Sequence, residues 1–389
     1  MTGLDLTPRR RRLSLAAVIF HMSAMGLTFG ISFPLVSVLL ELRGDGTALI
    51  GLMGAAPALA IVVVGAFVPA LAARLGTVPA ILTGTCLGVV SLLLLPLTDS
   101  LAAWFARRLV SGAVAALPWV VSETWIISLA SESGRGRVVG LYSAALFFGM
   151  ALGPLVLDAV GIAGWPPFLC AAGAMVLAMA PMLAVRRLAP PIPRKTALRS
   201  SQVIRAAPTV AGAALLAGLS EQVLYVLLPV YGLRAGLPQG VAVTLLSVLT
   251  LGAIVLQVPY GWLADRMERR LLLLLTALVC VACPVLLPWS LASLSVAWAL
   301  VAFWGGAVVG FYSVGLALLG QRFRSGDLAV ANAGFIVLYQ FGGMLGPGIA
   351  GAAMDLWDPH GFAAVMAGFP AVYAVLALVR YVRRGRQAA

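Results

Sequence analysis

Apolar runs of about 20 residues recur along the whole chain, and at 1.5 Å of rise per residue each can cross a hydrocarbon core roughly 30 Å thick. Alternating apolar and polar segments of about 10 residues, the signature of a membrane β-barrel, are absent. A backbone in lipid must satisfy its own polar groups, so runs without that alternation cross as helices. Composition agrees, with 62% hydrophobic and 10% charged residues against the roughly 25% charged residues of soluble domains.

The expected spans of the first half are Leu13 to Leu40, Ala48 to Ala73, Val78 to Leu97, Leu101 to Ala130, Arg137 to Gly161 and Trp165 to Val185. Those of the second are Pro208 to Gly232, Gln239 to Ala264, Leu271 to Ser290, Ser293 to Gln321, Leu328 to Met354 and Gly361 to Val379. Between the halves runs a proline-rich, basic and acid-free linker. The expected architecture is an all-α membrane protein of twelve transmembrane helices in two pseudo-symmetric six-helix bundles, residues 1–185 and 208–389, joined by a cytoplasmic linker at 186–207. Arg9 to Arg12 before an apolar stretch imitate a signal peptide, but no small-residue cleavage site follows, so the stretch reads as a first helix that stays.

A net charge of +13 would suit nucleic acid if the charge were clustered on one face, but it lies between spans and mostly on alternate sides. With the amino terminus inside, 22 of the 26 basic residues fall in cytoplasmic segments. Arg43 and Arg234 fall outside, and Arg107 and Arg108 lie within a span. Glu41, Asp45, Asp99, Asp158, Asp355 and Asp358 populate the outer loops. The bias of Arg and Lys places both termini in the cytoplasm. Cys86, Cys170, Cys280 and Cys283 all sit in apolar runs, which argues against a disulfide framework. Cys280 and Cys283 form a CxxC with no further ligand nearby, so packing is expected rather than metal binding.

The chain repeats itself. FGMALGP at Phe148 to Pro154 recurs as FGGMLGP at Phe341 to Pro347, displaced by 193 residues, about half the chain length. PALAARLGTV at Pro69 to Val78 occupies the slot that GWLADRMERR fills at Gly261 to Arg270. Duplication of a six-helix unit accounts for both.

At these residues the chain resembles the major facilitator superfamily, over nearly its whole length. GWLADRMERR matches that family's loop signature GxLADRxGRK; the first copy departs from it with Pro69 and Ala73. RLVSGAVAA at Arg108 to Ala116 is similar to the helix 4 motif RxxxGxGAA, with Val114 in place of its second glycine. Gly140, Gly149, Gly153 and Pro154 fit the helix 5 pattern GxxxxxxxxGxxxGP of exchangers, although Leu157 replaces its trailing glycine. SETWIISLASESGRGRVVGLYS, beginning at Ser122, looks like a branch of small bacterial facilitators, the YcaD-like group. The resemblance implies a gating cluster at Asp265 and Arg266 and a gating bend at Gly149, Gly153 and Pro154, mirrored at Gly342, Gly346 and Pro347. Physically, small residues at i and i+4 let helices approach, while proline weakens the local ladder. An acid beside a neighbouring helix amino end could act as a latch.

Charges inside spans are costly, which singles out Arg107, Arg108, Glu123 and Glu221. At 100° per residue, Trp119 lies about 20° and Glu123 about 60° from Arg108, so the three share a face, whereas Arg107 points elsewhere. Arg108 and Glu123 are about 22 Å apart along the axis, too far to pair directly. Glu221 lies near mid-span with Gln222 beside it and Tyr225 one turn on. A carboxyl there can hold a proton when facing one side and release it when the other side wets it. His21 is read as a helix-to-helix hydrogen bond rather than a proton carrier. Phe33, Phe148, Gln257, Tyr312, Tyr339 and Gln340 complete the candidate cavity, whose lining suits a moderately apolar organic solute.

The leading expectation is a proton-coupled exporter that works by alternating access, with Glu221, Glu123 and Arg108 in coupling. Substrate contact falls to Phe33, Trp119, Phe148, Gln222, Tyr225, Gln257, Tyr312, Tyr339 and Gln340. Two other classes share these features: an uncoupled facilitator or lipid flippase, and a membrane sensor that no longer transports. No nucleotide-binding loop or metal cluster supports an enzyme. No cofactor is expected; the partners are a small organic substrate, protons and membrane lipids, with no nucleic acid, and the protein is expected to act as a monomer. The expected location is the bacterial inner membrane. A cysteine placed in the 186–207 linker should resist impermeant reagent in intact spheroplasts and react after lysis; rapid labelling from outside would overturn the orientation.

Overall fold

The computed structural model describes residues 7–65, 67–129, 135–190, 208–322 and 325–388, so positions 191–207 of the expected linker lie outside the described residues. Among these residues the chain is helical throughout, without a strand. The helices are α1 (Pro8–Leu42), α2 (Thr47–Gly65), α3 (Val68–Leu75), α4 (Thr77–Leu93), α5 (Leu101–Leu129), α6 (Arg135–Val160) and α7 (Pro166–Ala184). There follow α8 (Pro208–Arg234), α9 (Gln239–Arg266), α10 (Arg269–Ser290), α11 (Leu294–Arg322), α12 (Ser325–Leu356) and α13 (His360–Ala388). All except α3 are long and apolar enough to cross a membrane, which makes twelve spans among the described residues.

One expected span is broken. The second was read as continuous from Ala48 to Ala73, yet α2 ends at Gly65 and the short α3 begins at Val68 with Pro69 in its first turn. Proline has no N–H for the carbonyl four residues back, at Gly65, and its ring crowds that carbonyl. The equivalent slot of the second half carries Gly261 instead, and α9 continues through it to Arg266. Gly76 then joins α3 to α4 at φ +92°, a backbone conformation that favours glycine. Its N–H bonds the Ala72 carbonyl at 2.9 Å, and its carbonyl receives Ala80 at 3.0 Å.

The chain packs as two compact units, Met1–Leu35 with Ala56–Thr196 and Val36–Ala55 with Ala197–Ala389. The carboxyl-terminal end of α1 and the first half of α2 thus pack with the second unit, although by sequence they belong to the first repeat. In the first unit α4 packs against α5 and α7, and α6 touches both α5 and α7. In the second, α8 is central, against α9, α11, α12 and α13, while α10 packs on α11 and α13.

Each unit is built on the same close contacts. A Cβ on Gly149 would overlap the Ser23 carbonyl oxygen, and 193 residues later a Cβ on Gly342 would overlap that of Leu215. Gly26 lies against the Leu146 carbonyl, as Gly218 lies against that of Tyr339. Gly112 lies against Pro57, as Gly305 lies against Leu249. The sequence repeat is therefore a repeat of backbone-to-backbone approaches, the kind that small residues permit between membrane helices. Pro154 leaves the Met150 carbonyl without its helical donor, and that oxygen is the one lying against Gly30 of α1.

Gly149→Val and Gly342→Val should each destabilise the purified protein by about 1–3 kcal/mol, the usual cost of overpacking. Gly173→Ala, where an added methyl meets nothing within 4 Å, serves as the control. Thermal melts in detergent measure the difference, and equal melting of all three variants would refute the close-contact account.

Candidate functional site

Midway along α8, Glu221 accepts a hydrogen bond from the Tyr339 hydroxyl of α12 at 2.7 Å. Gly218 explains why the two meet: it sits one turn before Glu221 and lets the backbone of Tyr339 close directly on α8. Tyr339 packs edge-to-face on Tyr312 of α11 with ring centres 5.5 Å apart, and Tyr312 does the same with Phe335 at 5.3 Å. Tyr225, one turn beyond Glu221, pairs its hydroxyl with Thr250 of α9 at 3.3 Å. Glu221, Tyr312 and Tyr339 are partly exposed and Tyr225 is buried. Gln222, expected beside this group, donates instead to the Gly54 carbonyl of α2 at 3.3 Å.

In the first unit Arg108 of α5 is 4% exposed and lies over the ring of Phe33 at 4.9 Å. Phe33 packs on Phe29 at 5.8 Å, and Phe29 on Trp119 at 6.0 Å. The shared face expected for Arg108 and Trp119 is therefore occupied by a row of α1 aromatics. An arginine over an aromatic face keeps part of its electrostatic stabilisation away from water. Glu123 is partly exposed farther along α5, within electrostatic reach of Tyr142 of α6. Arg107 turns away to donate to the Leu94 carbonyl at the end of α4, as arginines do at helix carboxyl ends.

His21 is wholly buried, with Nε2 2.9 Å from the Thr85 hydroxyl of α4. That hydroxyl spends its hydrogen on the Ile81 carbonyl at 2.8 Å, so His21 must be the donor through Nε2–H.

The remaining candidates stand apart from these groups. Phe148 is half-exposed on α6, and Gln257 and Gln340 are partly exposed on α9 and α12 without joining either cluster among the described residues. Asp265 is 80% exposed and reaches only to Arg269, at 3.9 Å. Arg269 itself holds the Ala264 and Ala317 carbonyls at 3.2 and 2.5 Å, and Arg266 lies over Trp262 at 4.0 Å. In this conformation Asp265 closes no latch within its unit. The glycines expected to gate all sit in close helix contacts, Gly149 on Ser23, Gly153 on Gly30, Gly342 on Leu215 and Gly346 on Leu219, with Pro154 and Pro347 buried beside them. No group of three His, Cys, Asp or Glu side chains among the described residues could hold a metal ion.

A profile of the Major Facilitator Superfamily matches residues 13–310 and, separately, 210–389. The chain belongs to the Major Facilitator Superfamily. It is 26% identical over 272 residues to the MFS-type transporter YfkF of Bacillus subtilis, covering 68% of this chain and 70% of that protein. It is also 26% identical over 282 residues to YcaD of Escherichia fergusonii, covering 71% and 72%. Among solved structures, the nucleoside transporter NupG superposes with a TM-score of 0.78 at 14% identity, over 94% of this chain and 99% of that one. A bacterial homologue of the human lysosomal transporter Spinster, inward-facing and unoccupied, gives 0.76 at 15% identity over 98% of both. These similarities establish the facilitator fold and a multi-pass transporter.

Within this facilitator's second unit the helix ends around the turn between α1 and α2 carry a polar cluster whose residues the sequence had marked only by the sign of their charge. Arg234, at the end of α8, grips Glu41 of α1 through two bonds at 2.8 and 3.1 Å and reaches Asp358 at 3.0 Å. Asp355 of α12 receives the Thr47 and Ala48 amides at 2.7 and 2.9 Å, and the Thr47 hydroxyl lies 2.5 Å from it. Those amides open α2, so a carboxylate from another helix supplies both the missing cap and the charge that the helix amino end favours. The residue before α2 is Gly46, which has no side chain to cap with. Asp355→Ala should lower stability by about 1–2 kcal/mol, as for loss of a helix cap, and Asp355→Asn by less because an amide oxygen still accepts. Melting temperatures decide; an unchanged value for Asp355→Ala would refute the cap.

Proposed function

We propose that this facilitator exports a small, moderately apolar organic solute across the bacterial inner membrane in exchange for protons, by alternating access and as a monomer with both termini cytoplasmic. The observation that carries the reading is the Glu221–Tyr339 pair in the membrane-spanning part of α8 and α12, an acid with no basic partner among the described residues. Protonated, Glu221 is a neutral hydrogen-bonding group. Ionised, it is a charge in a costly place that a substrate or water must offset. A site whose two charge states prefer different occupants couples their movements, because each can leave only as the other arrives. Export is favoured by the helix 5 pattern around Gly149, Gly153 and Pro154, which resembles that of exchangers. In this scheme Arg108 biases the charge state of Glu221 through the field it sets up, without a salt bridge. Glu123 is the alternative proton carrier, and the remaining aromatic and amide candidates, Phe148, Gln257 and Gln340 among them, line the route in other conformations.

The outer cluster fits the same cycle. Glu41 and the start of α2 can leave α8 and α12 only when the ionic contacts and the cap break. Asp265 and Arg266 are assigned the corresponding contact at the cytoplasmic end in the opposite conformation.

A solute found by thermal-shift screening, followed in proteoliposomes with an imposed pH gradient, tests the coupling. Glu221→Gln should lose uphill accumulation while retaining downhill exchange. Uphill transport at the wild-type rate would reject the assignment, and loss confined to Glu123→Gln would move the proton site to α5.

A further inference from the structure

The interior of the second unit is electrically unusual. Along the spans α8 to α13, the sequence carries its basic and acidic residues near the helix ends: Arg234, Asp265 and Arg266, Arg269 and Arg270, Arg322, Asp327, Asp355, and Arg380 onward. Glu221 alone carries charge near mid-span. Tyr339 of α12 bonds it and packs in turn on Tyr312 of α11; on α8 itself Tyr225, held by Thr250 of α9, lies within its electrostatic reach. No Lys, Arg or His pairs with it among the described residues. Its Oε2 takes the Tyr339 hydroxyl, which leaves Oε1 without a donor among the described residues in a partly exposed side chain.

We propose that Glu221, Tyr225, Tyr312 and Tyr339 form the binding site for an organic monocation bearing aryl or alkyl surface. The inference rests on the transporter reading above and names the substrate class of that site. A cation with a spread-out charge and an apolar skin suits both parts of this lining. The free carboxylate oxygen meets the charge, and the tyrosine faces attract it through their quadrupoles while burying its apolar surface. Two of the tyrosines have their hydroxyls committed, Tyr339 to Glu221 and Tyr225 to Thr250, so a ligand meets their ring faces rather than their hydroxyls. An anion would find a carboxylate and no cation within this unit's mid-span. A dication would find one carboxylate for two charges. A neutral solute would bind the protonated acid without displacing its proton.

The exchange balances as a substitution at one carboxyl: the protonated acid plus the cation gives the ionised acid with the cation bound, and one proton leaves to water. Proton and cation therefore compete for Glu221.

Binding of tetraphenylphosphonium to the purified full chain, measured by calorimetry beside its near-isosteric anion tetraphenylborate and the smaller benzyltrimethylammonium, tests the assignment. At least one cation should bind wild type more tightly than the borate, with about one proton released per cation in weakly buffered solution. Affinity should fall at least about tenfold in Glu221→Gln and about threefold to tenfold in Tyr312→Leu, and persist in Glu221→Asp. If Glu221→Gln does not fold, the Tyr312→Leu and Glu221→Asp results decide instead. Failure of both cations to bind, borate binding as tightly as they do, or affinity unchanged in Glu221→Gln or Tyr312→Leu would overturn the proposal. Cation binding that depends on Glu221 but releases no proton would keep this site and defeat proton coupling. Proton-driven transport lost in Glu221→Gln with cation affinity unchanged would do the reverse.

Discussion

Where a carbonyl of one helix rests against the Cα of a glycine in the next, no side chain separates the two backbones, and the rest of this structure is positioned by such contacts. Lipid tails are as apolar as leucine, so helices in a bilayer gain little from hiding apolar surface from water and depend on close packing and weak Cα–H···O contacts. Gly149 on Ser23, Gly26 on Leu146 and Gly112 on Pro57 supply these in the first unit, and Gly342 on Leu215, Gly218 on Tyr339 and Gly305 on Leu249 in the second. The last set also builds the candidate site. Because Gly218 draws the backbone of Tyr339 onto α8, the tyrosine hydroxyl falls within 2.7 Å of the acid one turn away.

The two units share a scaffold but not a chemistry. In the register that pairs Gly26 with Gly218, the counterpart of Glu221 is Phe29, whose ring packs on Phe33 at 5.8 Å and on Trp119 at 6.0 Å. The counterpart of Tyr339 is Leu146, and that of Arg108 is Val301, which is fully buried. Duplication thus preserved the glycines, whose substitution would collide with backbone, while the polar positions beside them diverged freely. An acid sits in one unit and an arginine stacked on aromatics in the other, each at a depth where a charge without a role would be a liability.

Much of this was legible in the sequence because it depends on local pattern. Span length fixes the helices, the 193-residue displacement exposes the duplication, and a lone acid in mid-span marks itself. Pro69 also announced the break between α2 and α3, although a sustained apolar run concealed it. What did not show was pairing between distant segments. Glu221 and Tyr339 were both singled out, yet 118 residues separate them and nothing local joins them. A helical wheel placed Arg108 and Trp119 on one face without revealing that Phe29 and Phe33 of another helix fill the space between. The outer acids and Arg234 were read for the sign of their charge alone, since sidedness is a property of each loop and contact is a property of the fold.

The cluster around Arg234 and Asp355 and the glycine contacts differ in how easily each can be undone. A glycine pressed on a carbonyl has no gradual alternative: separating the backbones leaves a void that neither lipid nor side chain fills well. The Arg234 contacts are partly hydrated, with the Asp358 side chain 54% exposed, and water can replace them at small net cost. The Asp355 cap can likewise be exchanged for water at the start of α2, because the amides it satisfies lie at a helix end rather than within the ladder. The segment Val36–Ala55 is held within the second unit by both kinds of contact: the bonds of Glu41 and Thr47, and the close approaches of Gly51 to the Pro347 carbonyl and of Gly351 to that of Thr47. The pairs of α1 with α6 and of α8 with α12 also meet through backbone. Polar contacts that water can replace thus lie at the helix ends, and backbone contacts that nothing replaces lie along the helices.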